Sequence, residues 1–297
     1  MKKIALFINL FLTIFLSAQS VIQVELPQVE NVELKPFASF DFGEINESSA
    51  IVKSRFWDDI YWTLNDSGSQ NKIYPVNSQG EILRAEWYNQ EEGGILVANA
   101  ANVDWEDMTT DDQGNLYISD LGNNGNARRD LVIYQVKEPY PEFTAITTAC
   151  KEYRVSYPTQ KEFPATKKNF DCEAIFWVEE QLFVLSKHRD DTYTTLYRID
   201  TSQKQSELIP LETFDIGGMV TAAEANDDGS KLAVLTYNSV WVFYKENESY
   251  FQGKIKWLPI KAKQCEAICF KDDEQLLITN EQSNLFILPI RNLTDVK

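Results

Sequence analysis

Short runs of β-branched and aromatic residues, separated by acidic and Asn- or Gly-rich turns, recur along most of this chain. Residues 103–124, VDWEDMTTDDQGNLYISDLGNN, show the unit: an acidic start, a first run, the turn signal DDQG, and the strand-like LYIS. The same order returns in CEAIFWVEEQLFVLSK (172–187), CEAICFKDDEQLLITNE (265–281) and, with a longer turn, ESSAIVKSRFWDDIYWTLND (47–66). A further copy, TAAEANDDGSKLAVLTY (221–237), carries Ala222 at the expected Glu position and Glu224 two residues later. A third run follows each hairpin: KIYPV, LVIYQV, TLYRI, VWVFY and NLFIL. More polar fourth runs, such as EILRAEW (81–87) and KIKWL (254–258), follow in the first four units. No comparable helical period appears beyond the first twenty residues.

Repeats of roughly 40–65 residues with four antiparallel strands each predict propeller blades. The expectation is an all-β, single-domain β-propeller over residues 21–297, with five four-stranded blades. Six blades are the alternative, because segments 82–103 and 141–169 have room for further strands. The last unit stops at its third run, and VELKPFASF (32–40) is strand-like and lies before the first unit. That N-terminal strand is expected to join the last blade and close the ring, leaving no long edge exposed.

In an antiparallel hairpin the first strand begins where the second ends, so the repeated Glu positions gather at one mouth of the central channel. Glu47, Glu106, Asp107, Glu173 and Glu266 are the expected metal ligands, with Asp104, Asp171 and Glu224 nearby. Crowded carboxylates destabilise one another unless protonated, paired or metal-bound, and hard oxygen donors favour Ca²⁺. The alternative role is structural: inner-strand polar groups tie neighbouring blades through their backbone amides. The loops NDSGSQNKIY (65–74) and SDLGNNGNARRDLVIY (119–134) suit tight turns. They also offer Asp120, Asn123, Asn124 and Arg128 to a polyol or an anionic group, together with Lys187, His188 and Arg189 from SKHRDD. His188, the lone histidine, is expected to be a solvated loop residue. Trp105 is expected in packing, with stacking on a sugar ring as its functional alternative.

Composition narrows the partners. The formal net charge is −17, and more negative once Lys2 and Lys3 are removed, which repels phosphate backbones and anionic headgroups. Nucleic acid is therefore not expected as a partner. Residues 1–20 are expected to be a signal peptide: a basic start, an apolar stretch over 4–16 broken by Asn9 and Thr13, then small polar SAQS. That stretch is short of the roughly 20 residues a membrane anchor needs, so a periplasmic or extracellular protein without membrane insertion is expected. The spacing of Cys150, Cys172, Cys265 and Cys269 matches no zinc pattern, and free thiols or one disulfide are both open. No G-x-S-x-G, H-E-x-x-H, Walker or dinucleotide motif occurs.

Taken together, NDSG…IYPV, DWEDMTTDDQGNLYISDLGNN, FDCEAI…LFVLSK, VTAAEANDDGSKLAVLTY and QCEAICF…LLITNE resemble a group of uncharacterised exported bacterial β-propeller proteins. They are distantly similar to SdiA-regulated and phytase-like propeller domains, over nearly the whole mature chain. The resemblance implies a propeller with acidic channel residues associated with Ca²⁺. It carries no phytase catalytic set, residue by residue. Two function classes follow: a binding or scaffold propeller for a small polar ligand, glycan or protein, and a Ca²⁺-dependent phosphoesterase using Glu106, Asp107, Asp120 and Glu173.

Overall fold

Each repeat folds into its own sheet, and five sheets stand around one axis as a β-propeller. The computed structural model describes residues 20–40, 43–84, 87 and 93–296. The expected signal peptide therefore lies outside the described residues apart from Ser20. The inner strands are Ser48–Lys53, Asp107–Thr110, Asp171–Val178, Val220–Ala225 and Cys265–Asp272, and each packs beside the next until the last meets the first. Among the described residues the only helical turn is the 3₁₀ segment Ile290–Asn292.

Alternation along the strands explains the ring. In Asp171–Val178, Ala174 and Phe176 pack toward the fourth blade, while Ile175 and Trp177 pack toward the second. Every inner strand is covered on both faces in this way. The core is therefore five wedges between successive blades, and Trp62 and Trp105 fill the wedge between the first and second. Turn chemistry sets the hairpins. Asp111 accepts the amides of Gln113 (2.9 Å) and Asn115 (2.8 Å) ahead of Gly114, whose φ of 75° favours glycine. Glu179 and Glu180 take φ values of 50° and 61°, as a two-residue type I′ turn requires.

The segments that left a sixth blade open serve existing ones. Ile95–Val97 is the fourth strand of the first blade, Ile146–Thr147 lies parallel to it, and Ala149–Ser156 is the fourth strand of the second blade. The described residues of EILRAEW, 81–84 and 87, thus do not form the fourth strand. Ile82 makes one bridge to Val76, because Ile95–Val97 already occupies the Lys72 and Ile73 end of that edge.

The segment over 32–40 is divided between two blades. Val32–Glu33 runs parallel to Ile255–Lys261 of the fourth blade, whereas Ala38–Ser39 pairs antiparallel with Asn284–Pro289 of the fifth. The change of partner falls at Pro36, which has no amide hydrogen to give either sheet. Upstream, Ile22 bridges Phe214 of the third blade, and downstream Thr294–Val296 pairs with Ile255–Lys261.

Candidate functional site

Four inner strands carry a register shift near their start, which leaves one residue unpaired: Ser49, Glu173, Thr221 or Glu266. In the second blade Glu106 holds the equivalent place, just before the pair Asp107–Ser119. These residues form an inner ring at one channel mouth, called here the upper mouth. Lys187, which ends the second strand of the third blade, and Asp66, Leu121, Tyr237 and Glu281, which lie just beyond the second strands of the others, form a ring next to it.

Glu106, Glu173 and Glu266 are therefore brought together, as the repeat implies. Glu47 is not. It lies two residues before the bulge, exposed, and Ser49 takes the ring position. In the fourth blade the ring residue is Thr221, so the alignment that put Ala222 there was off by one. Asp107 also leaves the set: its side chain accepts the amides of Met108 (2.8 Å), Ile175 (3.0 Å) and Ala223 (3.5 Å) inside the channel.

The ring carboxylates differ in their partners. Glu173 is paired with buried Lys187, which also donates to the Tyr237 hydroxyl at 2.8 Å. Arg189 donates to Asp171 through Nε (2.9 Å), with Nη2 2.8 Å from the same carboxylate, donates to Glu173 through Nη2 at 3.3 Å, and contacts Asn124. Glu106 has no side-chain hydrogen bond among the described residues, although it is only 5% exposed. Its carboxylate oxygen lies within 4.8 Å of those of Asp66 and Asp104. Gly122 backs this group: a Cβ there would strike Glu106 and come within 2.5 Å of the Asp104 carboxyl.

Burial governs the protonation of the mouth. It raises Glu106 well above the usual carboxylate range, and neighbouring Glu173, Asp66, Asp104 and Asp171 push the same way. Burial lifts Asp104 to about 6, reinforced by Asp66 and opposed by Arg128. Glu266 rises to about 7 through burial, against the pull of Lys187. Glu173 rises to about 8 through burial, again opposed by Lys187. Lys187 is itself buried, yet the Glu173 carboxylate and Tyr237 keep its ammonium charged.

The loop candidates prove mostly architectural. Asn123 Oδ1 accepts the amides of Ala127 and Arg128, both at 2.9 Å, and its own amide donates to Asp171 at 2.6 Å. Arg128 donates to Asp120 at 2.8 Å and pairs with Asp130 at 3.1 Å. Asp120 Oδ2 has no partner. His188 is not solvated: it is 7% exposed, shares a 2.7 Å hydrogen bond with Asp191, and burial lowers its pKa. Trp105 is fully buried and donates to the Ala101 carbonyl at 2.8 Å, so it offers no face to a sugar. All four cysteines are free, and Cys150 alone is exposed.

Asp66 and Tyr237 belong to the mouth but are not among the ligand candidates expected from sequence. Strand register is the available signal, since each sits one residue past the last pair of its second strand, beside the position where Lys187 closes the corresponding strand of the third blade.

No family model matches the chain, and no curated protein matches it in sequence. The SdiA-regulated and phytase-like resemblance therefore rests on the motifs alone. Among solved structures, the fold is similar to the PQQ-bound form of aldose sugar dehydrogenase from Streptomyces coelicolor. The TM-score is 0.51 at 8% identity, over 86% of this chain and 98% of that one. A second similarity is to the β-propeller domain of Cps50 (Swd1) from Myceliophteria thermophila, with a TM-score of 0.43 at 10% identity, over 82% and 83% of the two chains. Likeness at this identity shows the propeller fold and nothing of the activity.

Proposed function

We propose that this chain is an exported binding propeller that holds Ca²⁺ at its upper mouth through Asp66, Asp104 and Glu106 and presents it to an oxygen-rich polar ligand. The observation that carries the reading is Glu106: buried, without a hydrogen-bond donor, and surrounded by acids. Two unit charges about 4 Å apart repel by roughly 4 kcal/mol at an effective dielectric of 20. Such a cluster stays ionised only with a cation among its oxygens. Three carboxylates fit a hard ion that takes about six to eight oxygens, leaving positions for water or ligand. Outside the cell, where Ca²⁺ is abundant, sites with a Kd of about 10⁻⁴–10⁻³ M are useful. Expected location and proposed affinity therefore agree. Of the five ligands expected from sequence, Glu106 remains in the set, while Glu173 and Glu266 flank it. No helix among the described residues is long and apolar enough to cross a membrane.

The charge pairing at this mouth opposes a phosphoesterase. Lys187 and Arg189, the cations nearest the ring, are engaged by Glu173 and Asp171, so a phosphate would have to displace carboxylates. Calorimetric titration with Ca²⁺ tests the proposal. Wild-type protein is expected to bind, and Glu106→Gln to lose at least about ten-fold in affinity, as expected when a charged ligand oxygen is replaced. No Ca²⁺ binding at millimolar concentration removes the reading. Ca²⁺-dependent phosphatase turnover that Glu106→Gln abolishes replaces it with the hydrolase.

Gly122→Ala gives an independent check that leaves every carboxylate in place. The added methyl displaces the Asp104 and Glu106 side chains. Ca²⁺ affinity is expected to fall by about ten-fold or more, because ligand geometry is disturbed, while the far-UV circular dichroism keeps its β signature. Unchanged affinity would show that Gly122 does not shape the site.

A further inference from the structure

The channel has a second mouth, where the inner strands end, and a cavity of about 460 Å³ opens there. Lys53, Arg55, Thr110, Glu224, Asn226 and Cys269 are among its lining residues. They come from the ends of inner strands in the first, second, fourth and fifth blades, so the cavity is built by the ring and not by one loop. Its volume falls within the about 300–1,000 Å³ usual for small-molecule sites.

Most polar groups here are already engaged. Lys53 donates to the Lys271 carbonyl at 2.8 Å, and Asp273 accepts from Asn226 at 3.1 Å and from Lys231 at 3.4 Å. Two are not. Glu224 is 5% exposed; its Oε1 accepts the Thr109 hydroxyl at 3.3 Å, and its buried Oε2 meets no donor. A buried acceptor left without a donor costs about 1–3 kcal/mol, which an incoming N–H group would recover. Arg55 Nε donates to Thr110 at 3.3 Å and lies 3.7 Å from exposed Asp227, and its guanidinium sits 5.1 Å from the Trp177 ring centre. Its two terminal nitrogens take no hydrogen bond among the described residues. Arg55 and Glu224 are neighbours without forming an ion pair with each other.

We propose that this second mouth binds a small zwitterion, its ammonium donating to Glu224 and its carboxylate received by the terminal nitrogens of Arg55. A free amino acid or a dipeptide has that chemistry. A plain anion is disfavoured by the acids Asp58, Asp227, Asp272 and Asp273 around the same cavity. A plain cation satisfies Glu224 but leaves the guanidinium fork unused. The site lies at the opposite end of the channel from the proposed Ca²⁺ ligands, and the two readings stand or fall separately.

The experiment is thermal-shift screening followed by calorimetry with the free L-amino acids and glycylglycine. Each amino acid is run beside its decarboxylated amine and its deaminated acid. At least one zwitterion is expected to bind, and its amine and acid analogues to bind at least about ten-fold more weakly, since each lacks one charged contact. Glu224→Gln and Arg55→Met are each expected to weaken that binding by about ten-fold or more, with the Ca²⁺ response of the wild type unchanged. If one variant fails to fold, the other decides. The proposal is overturned if no probe binds at about 10 mM, far weaker than a millimolar site requires. It is equally overturned if the amine binds as tightly as its amino acid, or if binding survives the substitutions.

Discussion

Raising the pH of Ca²⁺-free protein from about 5 to about 8 is expected to lower its melting temperature by about 10 °C, and Ca²⁺ is expected to restore most of the loss. The cause is the acidic upper mouth. Burial holds Glu106 well above its ordinary value, and holds Asp104 near 6 and Glu266 near 7, while the Glu173 carboxylate is paired with Lys187. A carboxyl whose folded pKa lies above its unfolded value binds more protons in the native state within that interval. Its contribution is complete below the unfolded pKa, near 4, and is lost progressively as pH climbs through the folded values. The window therefore opens near 4 and extends through about 7, the reverse of the usual acid denaturation of salt-bridged carboxylates. At a few kcal/mol of total effect, and about 2–4 °C per kcal/mol for a chain of this size, a shift near 10 °C follows.

Ca²⁺ competes with those protons, so its stabilisation should be small at pH 5 and large at pH 8. Free Ca²⁺ at about 100 times Kd contributes about 2.7 kcal/mol. Glu106→Gln removes the most strongly buried acid without a donor, and should flatten both the pH slope and the Ca²⁺ response. A melting temperature that stays level from pH 5 to 8 in chelator would show that these acids are compensated by something other than protons, and the account of the mouth would be wrong.

Strands and blades were legible because their signals are local. Alternating faces recur in the five inner hairpins, polar turns separate their strands, CEAI repeats in the third and fifth, and the sheets follow these signals closely. What escaped was register. Glu47 shares the ring glutamates' letter but not their bulge, and a shift of two residues separates a channel position from an exposed loop. Asp66 and Tyr237 are missing from the expected ligands for the converse reason, since their place in the ring depends on pairing and not on residue type. His188 sits in a polar, charged stretch that reads as solvated. In the structure the ring is buried and shares a hydrogen bond with Asp191, three residues on. The N-terminal segment read as one strand because its apolar pattern is continuous, and Pro36 was the single residue that marked where it changes blade.

Asp107 shows the same limit from the other side, and replacing it is expected to have the largest effect on stability. An inner strand pairs with its blade along one edge only, so the amides of its other edge need partners within the channel. Asp107 supplies them: one carboxylate, 1% exposed, accepts from Met108, from Ile175 of the third blade and from Ala223 of the fourth. Asp107→Ala leaves the amides of Ile175 and Ala223 without this acceptor. At about 1–3 kcal/mol for each buried unsatisfied group, the loss is about 4 kcal/mol and the melting temperature falls by about 8–16 °C. Asp107→Asn keeps one acceptor oxygen of nearly the same shape and should lose about half as much. Urea denaturation separates the two, because a lost tie lowers the midpoint without changing the slope. The Ca²⁺ titration then distinguishes a tie from a ligand. If Asp107→Asn keeps its stability but no longer binds Ca²⁺, the carboxylate serves the ion and not the ring. If stability falls while Ca²⁺ binding persists, Asp107 and Glu106, adjacent in sequence, divide two tasks: one holds three blades together, and the other faces the mouth.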